Sequence, residues 1–105
     1  MIQVNKENYE AEVLQAGMPV IVDIWGPSCA PCLELLPQVE ELAGKYEGKI
    51  KFCKLNSAEN RRLCITYKVL SLPTFLAYKN GEEVKRVSDH DMKIEDVIKI
   101  AEELL

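Results

Sequence analysis

Two cysteines separated by two residues, Cys29 and Cys32, are the side chains best placed for covalent chemistry in this chain. The segment Cys29-Ala30-Pro31-Cys32 follows an apolar run and opens a helical pattern. Cys29 then falls at a helix N-terminus, where free N–H groups and the helix dipole favour an anion. The thiolate is the reactive form of cysteine, so this location lowers the thiol pKa and activates it. Cys32 lies one turn further on and on the same face, within reach of Cys29 but more buried. Such a pair can cycle between dithiol and disulfide. A metal half-site and two inert core thiols are the alternatives. A closed zinc site takes about four ligands, and the missing half would have to be Cys53 and Cys64, with ten residues between them.

Asp23 is the second candidate. It interrupts the run Val20-Ile21-Val22-Asp23-Ile24-Trp25, which reads as a strand buried on both faces. Burial there raises a carboxyl pKa, and an unpaired buried acid is costly enough to imply a role. Proton transfer is the expected one, with the ordering of local polar groups as the alternative. Lys54, on a neighbouring predicted strand, is a possible partner. Pro73, in Leu72-Pro73-Thr74, reads from spacing alone as a proline at a strand start, where a cis bond is accessible.

The elements that must carry these groups follow from punctuation and periodicity. Residues 1–4 form a short strand. Asn5 caps a helix over 6–15 with Tyr9, Val13 and Leu14 inward, and Gly17 stops it. After the strand ending at Trp25, Gly26-Pro27-Ser28 turns the chain. A helix over 30–46 places Leu33, Leu36, Val39 or Glu40, Leu42 and Ala43 inward, with Pro37 kinking it. Residues 50–55 alternate as a strand, 57–67 form a helix, and 74–78 form a strand. Asn80-Gly81 is a hairpin turn leading to a strand over 82–88. Asp91 caps a final helix with Ile94, Val97, Ile98, Ala101 and Leu105 on one face. The order β-α-β-α-β-α-β-β-α predicts an α/β fold, a mixed sheet with helices on both faces.

The chain has 105 residues and is 48% hydrophobic with a formal charge of −4. One domain with a real core is expected, and a nucleic-acid binder is disfavoured because a basic face is missing. No segment approaches the ~20 apolar residues of a spanning helix. The first residues lack the pattern of a signal peptide, so a cytoplasmic location is expected. In that reducing compartment a close cysteine pair means redox or metal chemistry rather than a staple. Cys53 is read as packing, Cys64 as partly exposed and open to an intermolecular disulfide, and His90 as solvated. Glu40 and Glu41 are read as ordinary helix surface, and Tyr67 and Tyr78 as packing residues.

Taken together and in order, Val22-Asp23-Ile24-Trp25, the Cys-x-Pro-Cys motif, Pro37, Lys54, Leu72-Pro73-Thr74 and Asn80-Gly81 resemble the thioredoxin family over nearly the whole chain. The resemblance implies one domain over 1–105, with a central sheet of about five strands flanked by about four helices. It implies reduction of protein disulfides, with Cys29 as nucleophile, Cys32 as resolving thiol and Asp23 as proton shuttle. Pro73 would be cis and face the sulfurs, and Trp25 would pack below them. Ser28, Ala30, Pro31, Leu72, Val87 and Ser88 would line the substrate surface. The implied partners are disulfide-containing proteins and a separate thioredoxin reductase, with a monomeric chain. No cofactor beyond the Cys29–Cys32 disulfide and no metal is implied, and no dinucleotide fingerprint is present.

The family motif usually reads Trp-Cys-Gly-Pro-Cys-Lys, whereas this chain has Ser28, Ala30 and Leu33 at the variable positions. Ser88 stands where a glycine is usual. The form Gly-Pro-Ser-Cys-x-Pro-Cys is similar to thioredoxin variants of amino-acid-fermenting anaerobes that supply electrons to selenium-dependent reductases. A specialised donor to one reductase system, or a redox-inactive binding module, are therefore the alternative functions.

Overall fold

A computed structural model describes residues 1–105. Five strands form one mixed sheet in the order β1-β3-β2-β4-β5. They are β1 (Ile2–Gln3), β2 (Val20–Trp25), β3 (Lys51–Asn56), β4 (Thr74–Lys79) and β5 (Glu82–Ser88). The pairs β1–β3 and β2–β3 are parallel, while β2–β4 and β4–β5 are antiparallel. Three α-helices cover the sheet: α1 (Ala30–Lys45), α2 (Arg61–Thr66) and α3 (Ile94–Leu104). A π-helical segment at Glu10–Leu14 and a 3-10 turn at Ser57–Glu59 complete the order.

Strand alternation divides the core in two. Ile21, Phe52, Phe75 and Ala77 face α1 and α3, packing on Leu35, Val39, Val97 and Ile100. Val20, Val22, Ile24, Cys53, Leu76 and Tyr78 face the other way, onto Val4, Tyr9, Val13 and Cys64. β2 is buried through Ile24 because it is covered on both faces, which is why it reads as a continuous apolar run.

Several local expectations are corrected. The inward stripe of α1 is Cys32, Leu35, Val39 and Leu42. Leu33 points to solvent at 43% exposure, and Leu36 is only half-buried, because the helix begins on Cys29 and the 3.6-residue period runs from there. Pro37 lies inside α1 as expected, and its missing N–H leaves the Leu33 carbonyl without its intrahelical donor. Asn5 does accept from the Glu7 and Asn8 N–H groups. The chain then widens into a π turn, with Gln15 N–H donating to Glu10 O, rather than an α-helix over 6–15. The helix expected over 57–67 is split at Asn60 into the 3-10 turn and α2. Asp91 does not cap α3; the Asp96 carboxylate accepts from the Lys93 N–H instead. The apolar face of α3 ends on buried Leu104, and Leu105 is exposed.

The Asn80-Gly81 hairpin is as expected, with φ of 55° and 79°. Gly81 is required twice over, since a Cβ there would lie 2.7 Å from the Leu14 carbonyl oxygen.

Candidate active site

Antiparallel pairing places the C-terminal end of β2, the start of β4 and the end of β5 at one edge of the sheet. Ile24 is opposite Thr74, and Thr74 is opposite Ser88. The chain leaves β2 at Trp25, turns through Gly26-Pro27-Ser28, and enters α1 at this edge. The turn is tight: Cys29 N–H donates to Gly26 O at 3.1 Å. A side chain at Gly26 would press on Leu72 and Ser57, each 3.1 Å from its Cβ position.

Cys29 is the N-cap of α1, and its sulfur accepts the Cys32 N–H at 3.3 Å. That N–H is one of the unpaired donors at a helix start, so it is available to a developing thiolate. Pro31 sits in the first turn, where a missing N–H costs nothing. Cys29 and Cys32 are joined in a disulfide. Cys32 is 2% exposed, while Cys29 is half-exposed and reachable from solvent. The two sulfurs therefore differ in access, as the helical spacing implies. Ser28 and Ala30 are exposed beside them.

Asp23 lies on the α1 face of β2, two residues before Trp25, and is 2% exposed. Burial pushes its carboxyl up to about 7; the Lys54 charge pulls the other way and Glu40 adds to the rise. Lys54 is the register partner of Asp23 on β3. Its ammonium, however, donates to Glu40 on α1 at 3.3 Å rather than to Asp23. Sequence reasoning identified Asp23 and Lys54 but read Glu40 as free helix surface. Nothing in the spacing of Glu40 announces a contact made across two elements.

The Leu72-Pro73 peptide bond is cis, and Pro73 is buried at the start of β4. Leu72 makes no backbone hydrogen bond within the chain. At the end of β5, Val87 is half-buried and Ser88 is exposed. The Ser88 hydroxyl is tied to the Thr74 hydroxyl at 2.7 Å. Trp25 packs at the end of β2 with its indole N–H buried and unpaired. Pro37 is exposed on α1, away from this edge.

The other two cysteines do not join the site. Cys53 is fully buried in β3, and burial pushes its thiol up to about 11. Cys64 is 8% exposed, less than the sequence suggests, because it occupies the inward face of α2. Burial raises its pKa too. No cluster of three or more His, Cys, Asp or Glu side chains is disposed to hold a metal ion, and no helix is long and apolar enough to cross a membrane.

An N-capping cysteine bonded to a buried second cysteine, on a mixed sheet with a cis-proline at the same edge, defines a thiol–disulfide oxidoreductase. The thioredoxin family model matches residues 1–102. The chain is 44% identical to a thioredoxin of Peptoclostridium acidaminophilum over 97 residues, 92% of this chain and 88% of that protein. It is 42% identical to thioredoxin 1 of a Nostoc species over 81% of this chain and 79% of the relative. It is 38% identical to a thioredoxin of Acetoanaerobium sticklandii over 87% of each. This chain belongs to the thioredoxin family, and its substrates are disulfide-containing proteins.

Proposed function

We propose that the protein reduces protein disulfides with Cys29 as nucleophile, Cys32 as resolving thiol and Asp23 as proton acceptor. The observation that carries this is the pairing of a reachable N-cap sulfur with a buried one behind it. In the reduced protein, the Cys29 thiolate attacks a substrate disulfide. A mixed disulfide forms, and one substrate sulfur leaves as thiolate. Cys32 gives its proton to the Asp23 carboxylate and attacks the Cys29 sulfur. The mixed disulfide breaks, the second substrate thiolate leaves, and Cys29–Cys32 is the disulfide of the oxidised form. Two electrons have passed to the substrate. A separate thioredoxin reductase returns them, and the fold needs no bound cofactor for the exchange itself.

A carboxyl titrating near 7 is matched to a proton exchanged at neutral pH. The unpaired backbone of Leu72 offers an extended substrate segment an edge to pair with. Pro73 and Val87 border that segment, and the exposed Ser28, Ala30 and Ser88 leave it room. Work as a single 1–105 domain in a reducing cytoplasm fits two free buried thiols that remain unpaired.

The test is turnover of a disulfide-containing protein with excess dithiol. The parent is expected to accelerate reduction, and both Cys29→Ser and Cys32→Ser are expected to lose turnover. Absence of acceleration by the fully reduced parent would leave a binding module as the better reading.

A further inference from the structure

β5 is an edge strand of the sheet, and its pairing with β4 is interrupted by a bulge. Ala77 pairs with Lys85 and Tyr78 with Glu83, so Val84 has no partner on β4. In a regular strand Glu83 and Arg86, three residues apart, would point to opposite faces. The bulge brings both onto the face that carries Leu76 and Tyr78. There the Arg86 Nε and Nη2 donate to the Glu83 carboxylate at 2.8 and 2.7 Å. The same guanidinium reaches across to the end of α2. Nη2 donates to the Tyr67 carbonyl at 2.7 Å and Nη1 to the Lys68 carbonyl at 2.9 Å. The last turn of α2 is closed by the Lys68 N–H on Ile65 O and the Val69 N–H on Cys64 O. Lys68 stands there at φ 57°, a left-handed position that favours glycine. A bulge, a carboxylate and a left-handed lysine thus converge on one guanidinium fork.

This clamp stands at the head of the segment that leads to Pro73. Leu70, Ser71 and Leu72 carry no backbone–backbone hydrogen bond, so hydrogen bonds hold the segment only at its two ends. At the far end the Thr74 hydroxyl donates to the Ser71 carbonyl at 2.6 Å and meets the Ser88 hydroxyl of β5 at 2.7 Å. At the near end Arg86, two residues before Ser88 on the same strand, holds Tyr67 and Lys68. β5 therefore grips both ends. We infer that Arg86 is a positioning residue for the exchange: from the end of α2 it fixes where the Leu72 backbone is presented to a protein substrate. The inference rests on the exchange reading above. None of the hydrogen bonds of Arg86 goes to residues 69–73 or to the cysteines, so it acts through the Tyr67 and Lys68 carbonyls. Without the fork those carbonyls lose their donors, Lys68 is free to leave the left-handed region, and the segment shifts. A lysine cannot replace the arginine, because one ammonium lacks the planar fork that holds a carboxylate and two carbonyls together.

The test compares two substrates, a disulfide-linked pair of extended peptides and hydroxyethyl disulfide, which has no peptide backbone to pair with Leu72. Arg86→Ala is expected to raise KM for the peptide about tenfold with kcat at the parental value. It is expected to leave kcat/KM for hydroxyethyl disulfide unchanged. Arg86→Lys is expected to match the alanine variant rather than the parent. Adding Lys68→Gly to Arg86→Ala lets the turn rest in the left-handed region without strain, and is expected to bring KM back to within about threefold of the parent. That recovery is the readout that a direct contact between Arg86 and substrate would not give. An unchanged KM in Arg86→Ala, a fully active Arg86→Lys, an equal loss on both substrates, or a double variant no better than Arg86→Ala alone would overturn the positioning role while leaving exchange intact. Failure of the parent on both substrates would overturn the exchange reading and the inference with it.

Discussion

Cys29 and Cys53 share a side chain but not a setting. Cys29 lies at the sheet edge, on a helix start, with a backbone N–H aimed at its sulfur. Cys53 lies in the middle of β3 among Val4, Val22 and Tyr9, fully buried, with its thiol pushed up to about 11. A backbone N–H at a helix start favours a negative sulfur in the first place, and burial disfavours one in the second. The difference is made by the backbone and the solvent rather than by the neighbouring side-chain chemistry, since no cation is hydrogen-bonded to Cys29. The same contrast separates the two acids near α1. Asp23 is buried and pushed up to about 7, while Glu40, on the exposed side of α1, is free to hold Lys54.

The sharpest way to break the contrast is to exchange the sulfurs one at a time. Cys29→Ser is expected to lower turnover at least about a thousandfold, since a hydroxyl is a far weaker nucleophile at neutral pH. Cys53→Ala is expected to leave turnover at the parental rate and to cost about 1 kcal/mol of stability, read by denaturant titration. Turnover that follows Cys53 instead would invert the assignment.

Asp23→Asn is expected to slow the exchange at pH 7 about tenfold, with water taking the proton less efficiently. It also tests the electrostatics through stability. The folded pKa lies above the unfolded value of 3.8, so folding disfavours the ionised form. The parent therefore loses stability as pH rises from about 4 to 7, and the oxidised Asn variant gains on the order of 4 kcal/mol over it at pH 8. At pH 3 the Asp23 carboxyl is protonated in both the folded and the unfolded chain, and the gain vanishes. A pH-independent difference would show that Asp23 titrates alike in the folded and the unfolded chain.

The smallest expected effect concerns Glu40. Removing its charge in Glu40→Gln takes away one of the influences that raise Asp23 and frees Lys54 to face it. The acid limb of the pH–rate profile is expected to move to lower pH. An unmoved limb, or one displaced upward, would separate Glu40 from the proton path.

Most of the site was legible because its signals are local. A cysteine pair at a strand–helix junction, an acid inside an apolar run and an Asn-Gly turn each carry their meaning within a few residues. The parts that escaped depend on which elements meet. The Glu40–Lys54 contact joins α1 to β3, and spacing along either element is silent about it. Ile65 and Leu70 look like core residues by composition, yet they face outward. α2 is only six residues long and breaks at Asn60, so its phase could not be read from a helix assumed to run over 57–67. Leu33 and Leu105 fail for the same reason: a one-residue error in helix phase turns an apolar side chain from core to solvent. The overall topology was recoverable because β2 and β4, buried on both faces, leave an unmistakable pattern.

The most direct test of the account is to trap the first covalent step. Reduced Cys32→Ser protein, mixed with a disulfide-containing protein and no added dithiol, is expected to accumulate a mixed disulfide. Peptide mapping is expected to place that bond on Cys29 alone. A bond mapped to Cys53 or Cys64, or no adduct despite a titratable Cys29 thiol, would contradict the assignment of Cys29 as the attacking sulfur.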